Sequence, residues 1–221
     1  MKLSIYKNKK VLVTGHTGFK GSWLSLWLSL LGAKVIGVSN KIPSDPSHYE
    51  LIKNIFHVDK RLDIRDSEGL KKIVIENKPD FIFHLAAQPI VIDSYRNPIL
   101  TWQTNVIGTV NLLDSLRSIN NKCVCIFITS DKCYENLEWD WGYRESDSLG
   151  GIDPYSASKA SAEIAIKSYY RAFFNKDENI IIASARAGNV IGGGDWAAHR
   201  LVPDCFKAWS KNNKVILRSP S

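Results

Sequence analysis

The chain has 221 residues, which is enough for one large domain or for a domain and part of a second. Hydrophobic residues make up 44% and charged residues 23% of it, a composition that argues against disordered and collagen-like classes. The formal net charge is +7, but the lysines are scattered and form no stripe with interleaved aromatics, so nucleic-acid binding is disfavoured.

The cysteines and the apolar runs indicate a cellular compartment. Cys123, Cys125, Cys133 and Cys205 form no Cys-x-x-Cys pair and have no histidine at zinc spacing, so we expect buried reduced thiols and no metal. The apolar run at 23–31 is too short to span a bilayer and lies beyond the position of a signal-peptide core. These features predict a soluble, cytoplasmic protein.

The first predicted elements form a βαβ unit. Val11–Thr14 is typical of a short buried strand, and the glycines after it indicate a turn. A helix is predicted over Ser22–Leu31, with Gly32 as its stop signal. Val35–Val38 is then a second buried strand, which closes a right-handed unit.

Helical and strand patterns continue to alternate along the chain. The further elements are a helix over 67–77, a strand over Asp80–Leu85, a long helix within 98–119, a strand over Cys123–Thr129, a helix over 154–174 and a strand over Ile180–Ala185. Short apolar strands that alternate with helices predict a Rossmann-like, doubly wound α/β fold, a parallel sheet with helices on both faces. Ligands of such sheets bind beyond the carboxyl ends of the strands.

Three glycines directly follow the first strand. Gly15, Gly18 and Gly21 have the spacing Gly-x-x-Gly-x-x-Gly and lead into a helix. In this arrangement peptide N–H groups and the positive helix end cradle a pyrophosphate. A glycine triplet alone also fits a tight strand-to-helix turn, so the motif needs support from elsewhere in the chain.

Two later segments lie where a dinucleotide site needs them. In "RLDIRD", Asp63 is placed to accept a hydrogen bond from an adenine amino group and Ile64 to pack on the ring, although a solvated turn before a helix fits as well. In "FHLAAQP", at a strand end, Ala86 and Ala87 are small enough for a cofactor to touch the backbone. Gln88 is then expected to point into the cleft.

A tyrosine and a lysine in "DPYSASKASAE" add a possible catalytic pair. Tyr155 and Lys159 are one helical turn apart and share a face of the predicted helix. The ammonium of Lys159 is expected to lower the phenol pKa and to reach ribose hydroxyls. Any helix can carry this spacing by chance, but its occurrence together with the glycine loop favours function.

Several segments of this chain resemble the extended short-chain dehydrogenase/reductase family. The words "TGHTGFKGSWL", "HLAAQP", "TNVIGT", "TSDKCYEN", "DPYSASK" and "RAGNVIGGGDWA" are similar, more specifically, to those of its CDP-glucose 4,6-dehydratases. The resemblance implies NAD as cofactor and CDP-glucose as substrate. The implied cofactor contacts are Gly15, His16, Thr17, Gly18, Phe19, Asn40, Lys41, Asp63, Ile64, Leu85, Ala86, Ala87, Asn105, Thr129, Tyr155 and Lys159.

The end of the second strand leaves the choice of nicotinamide cofactor open. NAD-dependent relatives usually carry an acid there to accept both ribose hydroxyls, whereas this chain has Ser39, Asn40 and Lys41. Asn40 can bond a hydroxyl without adding a charge, and Lys41 can tolerate a 2′-phosphate. The resemblance favours NAD.

The resemblance also implies catalytic roles. Tyr155 would take the proton of the sugar O4, Ser130 would hydrogen-bond O4, Asp131 would act as the acid and Lys132 as the base of the elimination. Lys132 then needs burial beside Lys159 to lower its pKa, and Asp131 needs desolvation to raise its own. Without that context, Asp131 and Lys132 would form a surface salt bridge.

The remaining implied roles concern substrate and partner. Sugar-nucleotide contacts are expected from Gln88, Ser130, Asn189, Arg200 and Leu201. Asn105 is expected to prop the active-site loop, and Arg96 and Arg186 are candidates for further phosphate contacts. The helices at 98–119 and 154–174 resemble the dimer interface of the family, which predicts a homodimer.

Residues 1–190 are expected to form the NAD-binding domain and residues 191–221 the beginning of a substrate-binding lobe. "KVILRS", at 214–219, predicts a strand just before an abrupt end. Since family members continue into a larger lobe, the resemblance implies that the rest is absent and that these residues alone bind sugar nucleotide weakly. Alternative functions are a 4-epimerase or reductase of the same family and a non-catalytic NAD-binding scaffold, which usually loses the Tyr or the Lys.

Overall fold

A computed structural model describes residues 3–217. Among them, six strands form one parallel sheet in the order β3-β2-β1-β4-β5-β6. The strands are β1 (Lys10–Thr14), β2 (Lys34–Ser39), β3 (Val58–Arg61), β4 (Phe81–His84), β5 (Cys123–Ile128) and β6 (Ile180–Ala185). The predicted Rossmann-like α/β fold is confirmed. The strand order reverses at β1, which lies between β2 and β4, and a crevice opens there at the carboxyl edge.

The α-helices described are α1 (Phe19–Leu30), α2 (His48–Ile52), α3 (Ser67–Asn77), α4 (Val91–Arg96), α5 (Pro98–Trp102), α6 (Gly108–Leu116), α7 (Pro154–Tyr169) and α8 (Leu201–Trp209). Single π-helical turns, Gln103–Ile107 and Tyr170–Phe174, join α5 to α6 and extend α7. Short 3₁₀ turns lie at Leu3–Tyr6, Lys53–Ile55 and Asp131–Cys133.

Most predicted elements are found, with shifted ends. α1 begins at Phe19, three residues before the predicted start, because Gly18 is its N-cap. β3 was not predicted: its sequence is "VDKR", and an edge strand with one apolar residue lacks the signature of a buried strand. The strand predicted at 214–219 is wrong for 214–217, which have no regular structure. Positions 218 and 219 lie outside the described residues.

Side chains of the sheet alternate between two cores. Leu12 and Ile82 lie on one face with Leu112 and Phe127, against helices α3 and α6. Val11 and Val13 lie on the opposite face with Leu28 of α1 and Val35. This alternation follows from the period of two in a strand, and each fully buried aliphatic side chain stabilises the fold by about 1.5–3 kcal/mol.

The segment after β6 is less buried than the sheet. Residues 192–200 lead to α8, in which Leu201, Phe206 and Trp209 are exposed. All four cysteines are free; three are buried and Cys205 is half-buried. Within residues 3–217, no helix has both the length and the apolar character needed to cross a bilayer. The division into domains at residue 190 stays a prediction.

Candidate coenzyme cleft and active site

The turn between β1 and α1 requires glycine at two places. Gly15 has φ +76°, and a Cβ there would lie 2.7 Å from the backbone nitrogen of Ala86. A Cβ on Gly21 would lie 2.1 Å from the carbonyl oxygen of Gly15, so α1 packs directly on the turn. Gly18, the N-cap, provides no side-chain cap for α1. The first amides of the helix are therefore available for an anion such as phosphate.

A cleft of about 640 Å³ opens at the carboxyl edge of the sheet, beside this turn. Many of the residues predicted to bind cofactor or substrate line it, namely Gly15, Thr17, Gly18, Phe19, Asn40, Lys41, Asp63, Ile64, Leu85, Ala86, Ala87, Gln88 and Arg200. Ile64 is largely buried, and its side chain packs against Gly108. The cleft thus extends from the end of β3 past the glycine turn to the segment before α8.

The turn is tied to the end of β2 by two hydrogen bonds. The backbone N–H of Thr17 donates to Ser39 Oγ (3.3 Å), and Thr17 Oγ1 donates to the carbonyl oxygen of Lys41 (2.7 Å). Asn40 and Lys41 are exposed and carry no negative charge. This end of the cleft therefore presents neutral and positive groups where many relatives are expected to have an acid.

Asp63 is held in the cleft by Arg65. Arg65 Nε donates to Asp63 Oδ1 (3.0 Å) and Arg65 Nη2 donates to Oδ2 (2.8 Å). These bonds hold the pKa of Asp63 below its usual range. A paired carboxylate keeps further lone pairs, so the adenine contact predicted for Asp63 stays a prediction.

His16 is not among the residues that line the cleft. Its ring is fully buried on Gly37, and Nε2 lies 3.0 Å from Asp59 Oδ1. Burial lowers the pKa of His16 despite the nearby carboxylate of Asp59. The side chain therefore faces the core rather than the cleft, and the predicted diphosphate contact of His16 stays a prediction. Lys20, by contrast, lines the cleft, and burial and the cation of Arg200 lower its pKa.

The amide of Gln88 is bonded within its own turn. Nε2 donates to the carbonyl oxygen of Ile90 and to Thr101 Oγ1 (both 3.0 Å), and Oε1 accepts from the N–H of Ile90 (2.6 Å). Gln88 lines the cleft, and its predicted substrate contact stays a prediction. The bonds fix the turn that follows β4.

Asn105 braces the same turn from the π-helical turn after α5. Its Oδ1 accepts from the N–H of Gln88 (2.8 Å), while Nδ2 donates to the carbonyl oxygen of Gln88 (3.1 Å) and to Ser158 Oγ of α7 (2.9 Å). The side chain is buried and does not line the cleft, so its cofactor contact is not found. The bracing role that the resemblance implied agrees with these bonds.

Tyr155 and Lys159 lie at the start of α7. Asp153 caps this helix, and its Oδ1 accepts from the N–H of Ser156 (3.0 Å). Both side chains are buried: Tyr155 is 9% and Lys159 8% exposed. The phenol lies beside Ser130, while Lys159 Nζ lies 3.5 Å from the carbonyl oxygen of Ile128. The helix thus brings the predicted pair to the end of β5.

The charges around this pair differ from those expected. Burial raises the pKa of Tyr155, and the groups that oppose this shift are Ser130 and the cation of Arg200. Burial and the cation of Lys20 lower the pKa of Lys159 to about 8. The lowering of the phenol pKa by Lys159 is therefore not found.

Asp131 and Lys132 lie in the 3₁₀ turn after β5. Ser130 Oγ donates to Asp131 Oδ1 (2.9 Å) and accepts from the N–H of Lys132 (3.2 Å). Both charged side chains are exposed, so the predicted burial of Lys132 beside Lys159 and the desolvation of Asp131 are not found among residues 3–217. Within the same residues the two side chains form no ion pair with each other.

Thr129 and Arg186 have a role that was not predicted. Thr129 Oγ1 donates to Glu163 Oε1 (2.5 Å), and Arg186 Nε donates to the same oxygen (3.2 Å). Both groups face this carboxylate, and the predicted cofactor contact of Thr129 and phosphate contact of Arg186 stay predictions. Sequence reasoning missed Glu163; its only signal is a position one turn after Lys159 on the same helix.

The segment after β6 contributes one predicted residue to the cleft. Arg200 lines it and forms an ion pair with Asp195 (3.2 Å). Asn189 is exposed and Leu201 is 61% exposed at the start of α8; neither lines the cleft. Arg96, an exposed residue, lies 3.5 Å from Asp93, so a phosphate contact is not indicated.

The parallel sheet, the glycine turn and the buried Tyr155–Lys159 pair define a Rossmann-type protein of the short-chain dehydrogenase/reductase class. Residues 12–190 match the family described as GDP-mannose 4,6 dehydratase. The chain belongs to this family.

Curated relatives include sugar-nucleotide dehydratases. The chain is 48% identical to CDP-glucose 4,6-dehydratase of Salmonella typhimurium, over 98% of this chain and 62% of the relative. It is 30% identical to dTDP-D-glucose 4,6-dehydratase of Dictyostelium discoideum, over 95% of this chain and 50% of the relative. The chain therefore spans between half and two thirds of the length of these relatives.

Solved structures of epimerases have the same fold. UDP-glucose 4-epimerase of Thermotoga maritima, solved with UDP-glucose, superposes with a TM-score of 0.84 at 26% identity, over 96% of this chain and 66% of that one. UDP-glucose 4-epimerase of Thermus thermophilus, solved with NAD, gives 0.72 at 28% identity, over 86% and 58%.

Proposed function

We propose that the chain provides the coenzyme-binding part of a cytoplasmic CDP-glucose 4,6-dehydratase, which converts CDP-glucose to CDP-4-keto-6-deoxyglucose. The observation that carries the proposal is that Ser130, Tyr155 and Lys159 are buried together at the end of the cleft, with Tyr155 and Lys159 one turn apart on α7. The 48% identity to the Salmonella enzyme supports the choice of substrate.

The residues of the cleft fit a nicotinamide dinucleotide. A Cβ at Gly15 or Gly21 would fill the space beside the first turn of α1, where the amides are free to hold a pyrophosphate. Lys159 would hold ribose hydroxyls, and Asn40 would bond the adenosine ribose. When bound, NAD supplies a reversible hydride acceptor. NAD is preferred over NADP because the Thermus relative was solved with NAD.

The side chains of this chain would then move protons. Tyr155 accepts the proton of the C4 hydroxyl while Ser130 orients O4. Oxidation at C4 makes the hydrogen on C5 acidic, so Lys132 can remove it, and Asp131 protonates the departing C6 hydroxyl. The protonated Lys132 would return a proton to C5 and, with the hydride that bound NAD would supply to C6, this gives the 4-keto-6-deoxy sugar.

A 4-epimerase or reductase of the same family is the second candidate. Its chemistry needs Ser130, Tyr155 and Lys159, which are buried together, and needs no base for C5. Asp131 and Lys132, the acid and base of elimination, are exposed. This contrast between the two groups of side chains is the observation that favours the second candidate.

Mass spectrometry of products separates these candidates. In four parallel incubations, the chain receives NAD together with the CDP-, dTDP-, GDP- or UDP-form of glucose. We expect loss of one water from CDP-glucose, together with the alkaline absorbance of a 4-keto sugar. A C4 epimer with unchanged mass, or a preference for another nucleotide, would overturn the proposal.

A chimera provides the control for an inactive chain. It joins residues 1–221 to the part of the Salmonella dehydratase that lies beyond the matched region, since the chain spans 62% of that enzyme. If the chimera dehydrates CDP-glucose and the 221-residue chain does not, the chain is inactive because it lacks the part that the chimera adds. If the chimera binds NAD and leaves CDP-glucose unchanged, the assignment is wrong.

We also propose a homodimer formed through α5, α6 and α7. Ile99, Trp102 and Ile164 expose large apolar side chains on these helices. Burial of such a patch between two copies would stabilise the dimer. Sedimentation velocity should give a dimer for the natural chain and a monomer for Ile99→Glu, whereas a natural chain that sediments as a monomer contradicts the proposal.

A further inference from the structure

Glu163 is a buried carboxylate with no part in the proton transfers proposed above. Its side chain is 6% exposed and forms an ion pair with Arg186, which is 16% exposed. Thr129 Oγ1 (2.5 Å) and Ser184 Oγ (3.0 Å) also donate to it, as do Arg186 Nε (3.2 Å) and Nη2 (3.3 Å). A buried carboxylate with four donors is held in one place and kept ionised.

These donors join the elements that build the active site. Thr129 directly precedes Ser130 at the end of β5, Ser184 belongs to β6, and Arg186 follows that strand. Glu163 itself lies on α7, one turn after Lys159 and two turns after Tyr155. The carboxylate therefore fixes α7 against the strand ends at the level of the Tyr155–Lys159 pair.

Charges from several elements face Lys159. Lys20 of α1 disfavours its cation, while Glu163 of α7 favours it. Burial raises the pKa of Cys133, in the turn after β5, to about 11, so this thiol is uncharged where Lys159 titrates. His84 of β4 is fully buried and neutral, with a pKa lowered to about 3. The nearest hydrogen-bond acceptor for Lys159 Nζ is the carbonyl oxygen of Ile128, at 3.5 Å. Among the ionisable carboxylates of the described chain, Glu163 is the one that acts on this ammonium.

We propose that Glu163 is a positioning residue that, together with Arg186, holds Lys159 in place and in its charged form for the reaction proposed above, on which this role rests. Glu163 touches neither the cleft nor the predicted substrate contacts. It acts on the reaction through α7, which it fixes against the strand ends, and through its charge one helical turn after Lys159. Arg186 weakens the attraction between Glu163 and the Lys159 ammonium, because its own cation pairs with the same carboxylate.

NMR titration of the Lys159 ammonium tests the proposal directly. Lysine is labelled with ¹³C, and the Lys159 signal is identified by its loss in Lys159→Arg. In Glu163→Gln, which keeps the shape of the side chain, we expect the pKa of Lys159 to fall by about one unit, because an opposite charge is removed. In Arg186→Met we expect it to rise by a similar amount, because Glu163 is then no longer shared.

The exposed ion pair of Asp114 and Arg117 on α6 provides matched controls. Asp114→Asn and Arg117→Met make the same charge changes far from the cleft and should leave the titration of Lys159 unchanged. If circular dichroism shows that either Glu163→Gln or Arg186→Met fails to fold, the change in the pKa of Lys159 in the other variant tests the proposal. A folded variant in which the pKa of Lys159 stays within about 0.3 unit of the natural value overturns the proposal. The titration needs no sugar nucleotide, so failure of the dehydratase assignment would leave this result unaffected.

Discussion

Tyr155→Phe is expected to lower turnover of CDP-glucose by about 10²–10⁴-fold, the range that a positioned proton acceptor provides. The variant keeps the aromatic ring, and the natural side chain is 9% exposed, so packing of α7 should be retained. What is lost is the hydroxyl that lies beside Ser130 and would take the O4 proton. Burial raises the pKa of this phenol, and the reaction needs its deprotonated form. Turnover by the natural chain should therefore increase with pH at pH values below that raised pKa.

The measurement is formation of reduced coenzyme in a single turnover, followed by absorbance, with the natural chain or the chimera. Tyr169→Phe, at the last position of α7, is the matched control and should retain natural rates. Binding of NAD to Tyr155→Phe should stay within about threefold of the natural value, since the proposed pyrophosphate and ribose contacts are intact. Oxidation at the natural rate in this variant would assign the proton acceptor to another residue.

Much of the fold was predictable because local patterns and sheet geometry agree. The apolar strand before Gly15 and the glycine spacing define the first βαβ unit, and right-handed crossovers between parallel strands place helices on both faces of the sheet. β3 escaped prediction for a physical reason. At the sheet edge, only Val58 of this strand is partly buried, so the sequence "VDKR" carries no apolar run.

Contacts in the site were harder to predict where the partners lie far apart in sequence. The spacing of Tyr155 and Lys159 is local to one helix, so the two could be placed together. His16 pairs with Asp59, 43 residues away, and Asn105 bonds Ser158, 53 residues away. A motif gives the position of a side chain on its element but not the direction in which a distant partner turns it.

The same limit applies at the end of β5. Thr129 has the position of a cofactor contact, yet a buried carboxylate on another element bonds its hydroxyl. Ser130, the next residue, lies beside Tyr155 instead. Since successive side chains of a strand point to opposite faces, neighbours in sequence serve different parts of the site.

Lys132→Ala is expected to abolish elimination of water while a slow oxidation at C4 remains. Oxidation uses Ser130, Tyr155 and Lys159, none of which contacts the side chain of Lys132 in the described part of the chain. Loss of a general base costs about 10²–10⁴-fold in the step that it serves, so removal of the C5 proton should become rate-limiting. The variant should accumulate reduced coenzyme in the presence of CDP-glucose.

Exchange in deuterated water identifies the affected step. The natural chain or chimera should incorporate deuterium at C5 of the product, whereas Lys132→Ala should give reduced coenzyme without deuterium in the sugar. Lys122→Ala, an exposed lysine just before β5, is the matched control and should behave as the natural chain does. Because Lys132 is exposed, it can act as a base only if bound substrate desolvates it, and deuterium exchange that persists in Lys132→Ala would show that another group removes the proton.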